Sequence, residues 1–187
     1  MASTKTRRSR KSLEATAYHE AGHAVIALSE RMRVKSATIV PGEDYWGAVA
    51  RQNMTRVQMG FDEPAKMHRY LTREIRVILA GLAAEWRFTG RNNFRGASSD
   101  YKEAINLSLH VYGSDTIVPY LRFMSALMKE EVSKPARWAQ IKAIAEALME
   151  RGTIRNREIR EICDQAVNDA MEMKRIEREM RPLNKRT

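Results

Sequence analysis

Residues 19–23 read His-Glu-Ala-Gly-His, two histidines four apart with a glutamate directly after the first. On a helix each residue advances about 100°, so His19 and His23 fall about 40° apart on one face and roughly 6 Å apart along the axis. That spacing lets two imidazoles converge on one ion. Glu20 is offset by about 100° from His19, too far round to be the natural third ligand but well placed to hold a water and take its proton. Zinc in such a site brings the pKa of its water towards about 7. The plain alternative is a pair of core histidines that hydrogen-bond to their neighbours.

A catalytic zinc needs a third protein ligand and an open fourth position. Cys163 is the single cysteine, which excludes a disulfide framework and a thiolate cluster. The remaining donor must come from histidine or carboxylate, and the candidates downstream are Glu74, Glu85, Asp100, Glu103, His68 and His110. Asp100 follows a glycine-rich stretch and opens a helix. The same residue also has the spacing of an N-cap, with Glu103 as reciprocal acid. Glu85, in Leu-Ala-Ala-Glu-Trp, is the rival carboxylate on a packed helix, and residue chemistry alone leaves the two open. His68 and His110 read as ordinary surface or core histidines. Gly22 sits mid-helix at a cost of about 1 kcal/mol relative to alanine. It therefore predicts a close backbone approach, which we expect from a strand crossing the site.

The elements that must position these groups can be read from periodicity. Leu13, Ala17, Ala21, Val25, Leu28 and Met32 recur at helical spacing, predicting a helix over 13–32. Residues 34–42 (VKSATIVPG) predict a strand ending in a turn, and 44–54 (DYWGAVARQNM) a second strand. A loop over 53–65 leads to a long helix from Ala65 to Phe88. The stretch from Thr89 to Asp100 is the most loop-like interior segment. Helices are expected over 100–112, 117–131 and 135–151, with a turn at 113–119. A loop from Gly152 then leads into a terminal helix that becomes fully charged. No repeat is present. The fold class is mainly α (α+β), a helical domain with a small N-terminal β-sheet or hairpin beside the metal helix.

Length and composition fit this picture: 187 residues, 43% hydrophobic and 30% charged, enough for one domain with a real core. No run is long and apolar enough to cross a bilayer, and the polar start is not followed by an apolar signal core, so the expected compartment is cytoplasmic. The net charge of +10 is concentrated at the ends. Residues 1–12 carry five basic side chains and no acid; residues 171–187 carry six basic and three acidic ones. We therefore divide the chain into a disordered basic tail (1–11), a catalytic domain (12–170) and a charged C-terminal helix or tail (171–187). Such tails could engage nucleic acid through its phosphates, or an acidic partner. On that alternative the chain is a non-catalytic binding or regulatory protein.

Four blocks, in order, resemble the peptidase module of the FtsH-type ATP-dependent zinc metalloproteases. YHEAGHAVIAL resembles that family's metal helix, and VKSATIVPG with WGAV the strand pair after it. VILAGLAAEWRFTG with GASSDYKEAINL resembles the second half of the site, and ALMERGTIRNREIREI the closing segment. The resemblance implies an endopeptidase of unfolded or flexible polypeptides whose Zn2+ is held by His19, His23 and Asp100. Glu20 is then the catalytic base, and Glu85 a structural or second-sphere acid. Trp46, Gly47 and Ala48 correspond to the edge strand that a substrate chain joins by main-chain hydrogen bonds. The family's modules assemble in rings of six, which implies a homo-oligomer. Its ATPase module and membrane helices have no counterpart in these 187 residues, and no G-x-x-x-x-G-K-[ST] phosphate loop occurs. That leads us to expect a stand-alone domain with a separate ATPase or adaptor as its delivering partner.

Overall fold

The computed structural model describes residues 9–42, 46–52, 63–91 and 98–180. The chain opens with α1 (Arg10–Ser29), whose first turn is capped by the Ser9 hydroxyl accepting from the Ser12 N–H at 3.3 Å. This helix starts three residues before the apolar spacing that begins at Leu13, because a side-chain cap rather than core burial defines its end. Arg31, at φ 58°, turns the chain out of the helix. It leads into β1 (Val34–Thr38), followed by β2 (Ala48–Arg51). Next come α2 (Pro64–Thr89) and α3 (Ser98–Leu109). The remaining elements are α4 (Ser114–Ser133), α5 (Pro135–Arg151), β3 (Thr153–Arg155) and α6 (Asn156–Met180). Both long-helix boundaries of α2 follow local chemistry: Pro64 at the first turn needs no N–H, and Gly90 closes the end at φ +69°.

The three strands form one antiparallel sheet in the order β2-β1-β3, with Ala37 paired to Val49 on one side and Ile154 on the other. The sequence led us to expect a two-stranded arrangement and a loop at 152–155. Three residues are too few to display alternation; Ile154 is a strand residue through its pairing with Ala37, and its side chain is fully buried in the core. β1 also ends earlier than expected, at Thr38, although the Ile39 N–H still bonds the Gly152 carbonyl at 2.8 Å.

Around α1 pack α2 and α5, burying Val25, Ile26, Ile75, Leu79, Ile141 and Leu148. Each such side chain contributes about 1.5–3 kcal/mol of transfer free energy. The tight point of the α1–α2 crossing is Gly22. A Cβ there would stand 2.6 Å from the Ala80 carbonyl oxygen and 2.8 Å from Ala84 Cβ. The close approach predicted from Gly22 is thus to a helix, not to a strand.

Residues 113–119 are a further departure. They are not a turn: Gly113 is the N-cap and α4 runs straight through Pro119. A proline inside a helix loses a hydrogen bond. Here Ile117, Leu121, Met124, Met128 and Val132 form a buried stripe at intervals of three and four that outweighs the loss. No described helix is long and apolar enough to cross a membrane. Of the basic ends read as tails that could contact nucleic acid (1–11 and 171–187), residues 10–11 belong to α1 and 171–180 to α6, while 1–8 and 181–187 lie outside the described residues, as do 43–45, 53–62 and 92–97.

Candidate metal centre

α1 carries His19, Glu20 and His23 to the crossing with α2, and their ring positions are fixed from behind. The His23 Nδ1 lies 2.8 Å from the Val77 carbonyl oxygen. A carbonyl can only accept, so Nδ1 bears the proton and Nε2 keeps its lone pair. His19 Nδ1 lies 3.0 Å from Glu85 Oε2, which fixes the same tautomer whenever Glu85 is ionised. Both Nε2 atoms consequently face inward, 2.9 Å apart, with the rings in an edge-on arrangement.

The third group arrives from α3. Asp100 stands in the first turn of that helix, where a negative charge suits the helix dipole. It is not the N-cap expected from its spacing to Glu103, since the helix already begins at Ser98 and Glu103 is exposed. Asp100 Oδ2 lies 3.0 Å from His19 Nε2 and 3.7 Å from His23 Nε2. It is buried, yet no hydrogen bond of acceptable geometry reaches it.

These three side chains, and no other group among the described residues, bring three metal-ligating atoms within 4.8 Å of one another. When both imidazoles are neutral, their lone pairs and the carboxylate oxygen aimed at the same point repel unless a cation, a metal ion or a proton, lies between them. The separations of 2.9–3.7 Å bracket the edge of about 3.4 Å that a tetrahedral zinc with bonds of about 2.0–2.1 Å requires. The residues present fit such an ion.

Electrostatics agree with a site built for positive charge. Burial works against an imidazolium at His19, but Asp100 and Glu85 outweigh it and lift the pKa to about 10. Burial likewise opposes the Asp100 carboxylate, and the two histidines reverse that, holding it well below the usual range. Glu20 moves the other way: burial, with Asp100 and Glu85 adding repulsion, raises its pKa against the attraction of the histidines. A carboxylate made more basic in this manner is suited to proton transfer.

Two glycines leave room for these side chains. A Cβ on Gly47 would fall 2.6 Å from Glu20 Oε1 and 2.9 Å from Thr16 Cγ2, so the backbone before β2 lies directly on the glutamate, which is only 5% exposed. A Cβ on Gly81 would fall 2.4–2.5 Å from Cε1 and Nε2 of His23. Ala48 opens β2, whose outer edge pairs with no described strand, and Trp46 beside it is 41% exposed.

The other candidates are engaged elsewhere. Glu74 pairs with Arg51, His68 hydrogen-bonds Tyr112 at 2.9 Å, and His110 is exposed. Sequence reasoning did not find the Val77 carbonyl or Gly81. A backbone acceptor leaves no mark in a sequence, whereas a mid-helix glycine such as Gly81 carries the same signal that singled out Gly22.

Comparison with known proteins places the chain as a whole in a family. The family model described as Peptidase family M41 matches residues 6–175. The ATP-dependent zinc metalloprotease FtsH of Rickettsia conorii is 37% identical over 103 residues, 54% of this chain and 15% of that protein. FtsH of Caulobacter vibrioides is 35% identical over 96 residues, 50% of this chain and 14% of the relative. The chloroplastic/mitochondrial ATP-dependent zinc metalloprotease FTSH 11 of Arabidopsis thaliana is 32% identical over 102 residues, 53% and 12% respectively. The chain thus matches 12–15% of the length of these relatives.

Proposed function

The chain belongs to peptidase family M41, and we propose that it is a zinc-dependent endopeptidase cleaving unfolded or flexible polypeptides. The observation that carries this reading is the orphaned, buried Asp100 Oδ2 beside two inward-facing histidine nitrogens. His19, His23 and Asp100 hold the metal, and the relatives' names supply its identity as zinc. Zinc bound there supplies a Lewis acid that acidifies a water and polarises the scissile carbonyl.

The chain's own residues do the rest. Glu20 accepts the proton of the attacking water at its carboxylate and delivers it to the leaving amine. Glu85 and the Val77 carbonyl keep both Nε2 lone pairs turned inward. The segment Trp46–Ala48 offers an edge to which an extended substrate adds by main-chain hydrogen bonds, with Gly47 bringing that edge onto Glu20. Extended binding of this kind selects chains without folded structure. ATP-dependent delivery of the substrate is part of the same proposal, since the relatives are named as ATP-dependent, and assembly of several copies rests on the family resemblance of the sequence blocks.

The experiment is metal analysis beside casein cleavage for the parent, Glu20→Gln and Asp100→Ala. We expect about one zinc per parent chain, a zinc-loaded but inactive Glu20→Gln, and an Asp100→Ala that loses zinc at least a hundredfold more readily. A zinc-loaded parent that cuts no flexible substrate would overturn the enzyme reading. Full zinc retention by Asp100→Ala would overturn the ligand set.

A further inference from the structure

Three features outside the ligand set compete for meaning: an apolar groove between α3 and α4, the charged groove between α5 and α6, and the notch in α2 that receives His23. The notch has its occupant, His23, within this chain. Val77 and Gly81 are one helical turn apart on α2, so the Val77 carbonyl points along the helix towards Gly81. The His23 imidazole lies in the space between them. Its Nδ1 meets the Val77 carbonyl oxygen at 2.8 Å, and its Cε1 and Nε2 occupy the place where a Gly81 side chain would begin.

We propose that Gly81 is a positioning residue for the metal: the missing side chain lets His23 lie on the α2 backbone with Nε2 aimed at the shared point. This inference rests on the reading of His23 as a zinc ligand. The effect of an added Cβ depends on which atom must yield. At Gly22 a Cβ meets a backbone carbonyl, so the helices themselves would have to part. At Gly81 it meets the far end of a side chain, which swings away by rotating about χ1 and χ2. An alanine at 81 thus leaves the fold standing and displaces the ring. Nε2 moves off the common point and Nδ1 leaves the Val77 carbonyl. A glycine retained in a helix interior against alanine's better propensity is accounted for by this seat.

The test compares the 187-residue parent, Gly81→Ala, His23→Ala and the double variant, reading zinc affinity by competition with a fluorescent chelator. Thermal unfolding is measured in parallel after zinc is stripped with EDTA. Gly81→Ala is expected to weaken zinc binding by about 10- to 100-fold, with a stripped midpoint equal to or above the parent's. In the His23→Ala background the same change should have no further effect on zinc and should raise the midpoint, as glycine to alanine does in an unobstructed helix. A folded Gly81→Ala with the parent's zinc affinity overturns the inference while leaving the ligand set intact. A parent that takes up no zinc overturns the functional reading as well. Should Gly81→Ala alone fail to fold, recovery of folding in the double variant supports the seat, and failure of both overturns it.

Discussion

His19 stands between two carboxylates: Glu85 Oε2 lies 3.0 Å from its Nδ1 and Asp100 Oδ2 lies 3.0 Å from its Nε2. One ring therefore separates two acids of the same chemistry into two roles. The Glu85 side is filled by a hydrogen bond that fixes the tautomer. The Asp100 side shares its open space with His23.

That difference predicts unequal responses to substitution at 85. Glu85→Ala leaves Nδ1 without its acceptor and should weaken zinc binding about 10- to 100-fold. Glu85→Gln keeps an acceptor oxygen and should cost less than about tenfold. Chelator competition on both variants checks the ranking. A ligand role for Glu85 would instead make glutamine nearly as damaging as alanine.

The charge on His19 gives the stripped protein a defined pH response. Its folded pKa of about 10 lies above the ordinary 6.5, so its stabilising contribution is complete below about pH 6.5 and is lost as pH rises through about 10. Asp100 is depressed, so its contribution is present above its ordinary 3.8 and lost on acidification below that. The EDTA-treated protein should be most stable between these limits. Zinc affinity should run the other way above neutrality, rising with pH by up to about tenfold per unit while the His19 proton must be displaced. Unfolding curves at pH 6 and 9.5, with and without zinc, should cross in this manner.

Gly47→Ala tests the contact between the β2 entry and Glu20, the proposed base. The new methyl group would meet Glu20 Oε1 at 2.6 Å and push the carboxylate from its place. We expect zinc content to remain near one per chain while turnover of a flexible substrate falls about 10- to 100-fold. Loss of zinc in step with activity would show that the glycine serves the ligands rather than Glu20.

Arg51, the last residue of β2, pairs with Glu74 on α2 and so ties the edge strand to the helix beneath it. Both side chains are mostly buried, and Tyr70 also engages Glu74. Arg51→Ala strands a carboxylate, with an expected loss of about 2 kcal/mol, or roughly 6 °C in Tm. Removing both charges, as in Arg51→Met with Glu74→Leu, should restore most of that stability. Calorimetry on the single and double variants measures the difference.

The amino-acid order by itself determined whatever depends on neighbours a few residues apart. The four-residue spacing of His19 and His23 sets them on one helix face in any context, and the apolar periods of α1 and α2 required long buried helices. Gly22 announced a close packing partner, although its identity as helix α2 could not be read from α1 alone. The order also resolved nothing about β3, where three residues carry too little pattern, and it misled at 113–119, where the buried stripe of α4 overrides a proline. Residue chemistry left Glu85 and Asp100 open and the family resemblance divided them; tertiary structure alone set which His19 nitrogen each faces, because they lie 66 and 81 positions away and only the packing of α2 and α3 on α1 brings them to the ring. It likewise produced the Val77–Gly81 seat, since a carbonyl oxygen and a missing methyl group acquire meaning only when another helix lays an imidazole across them.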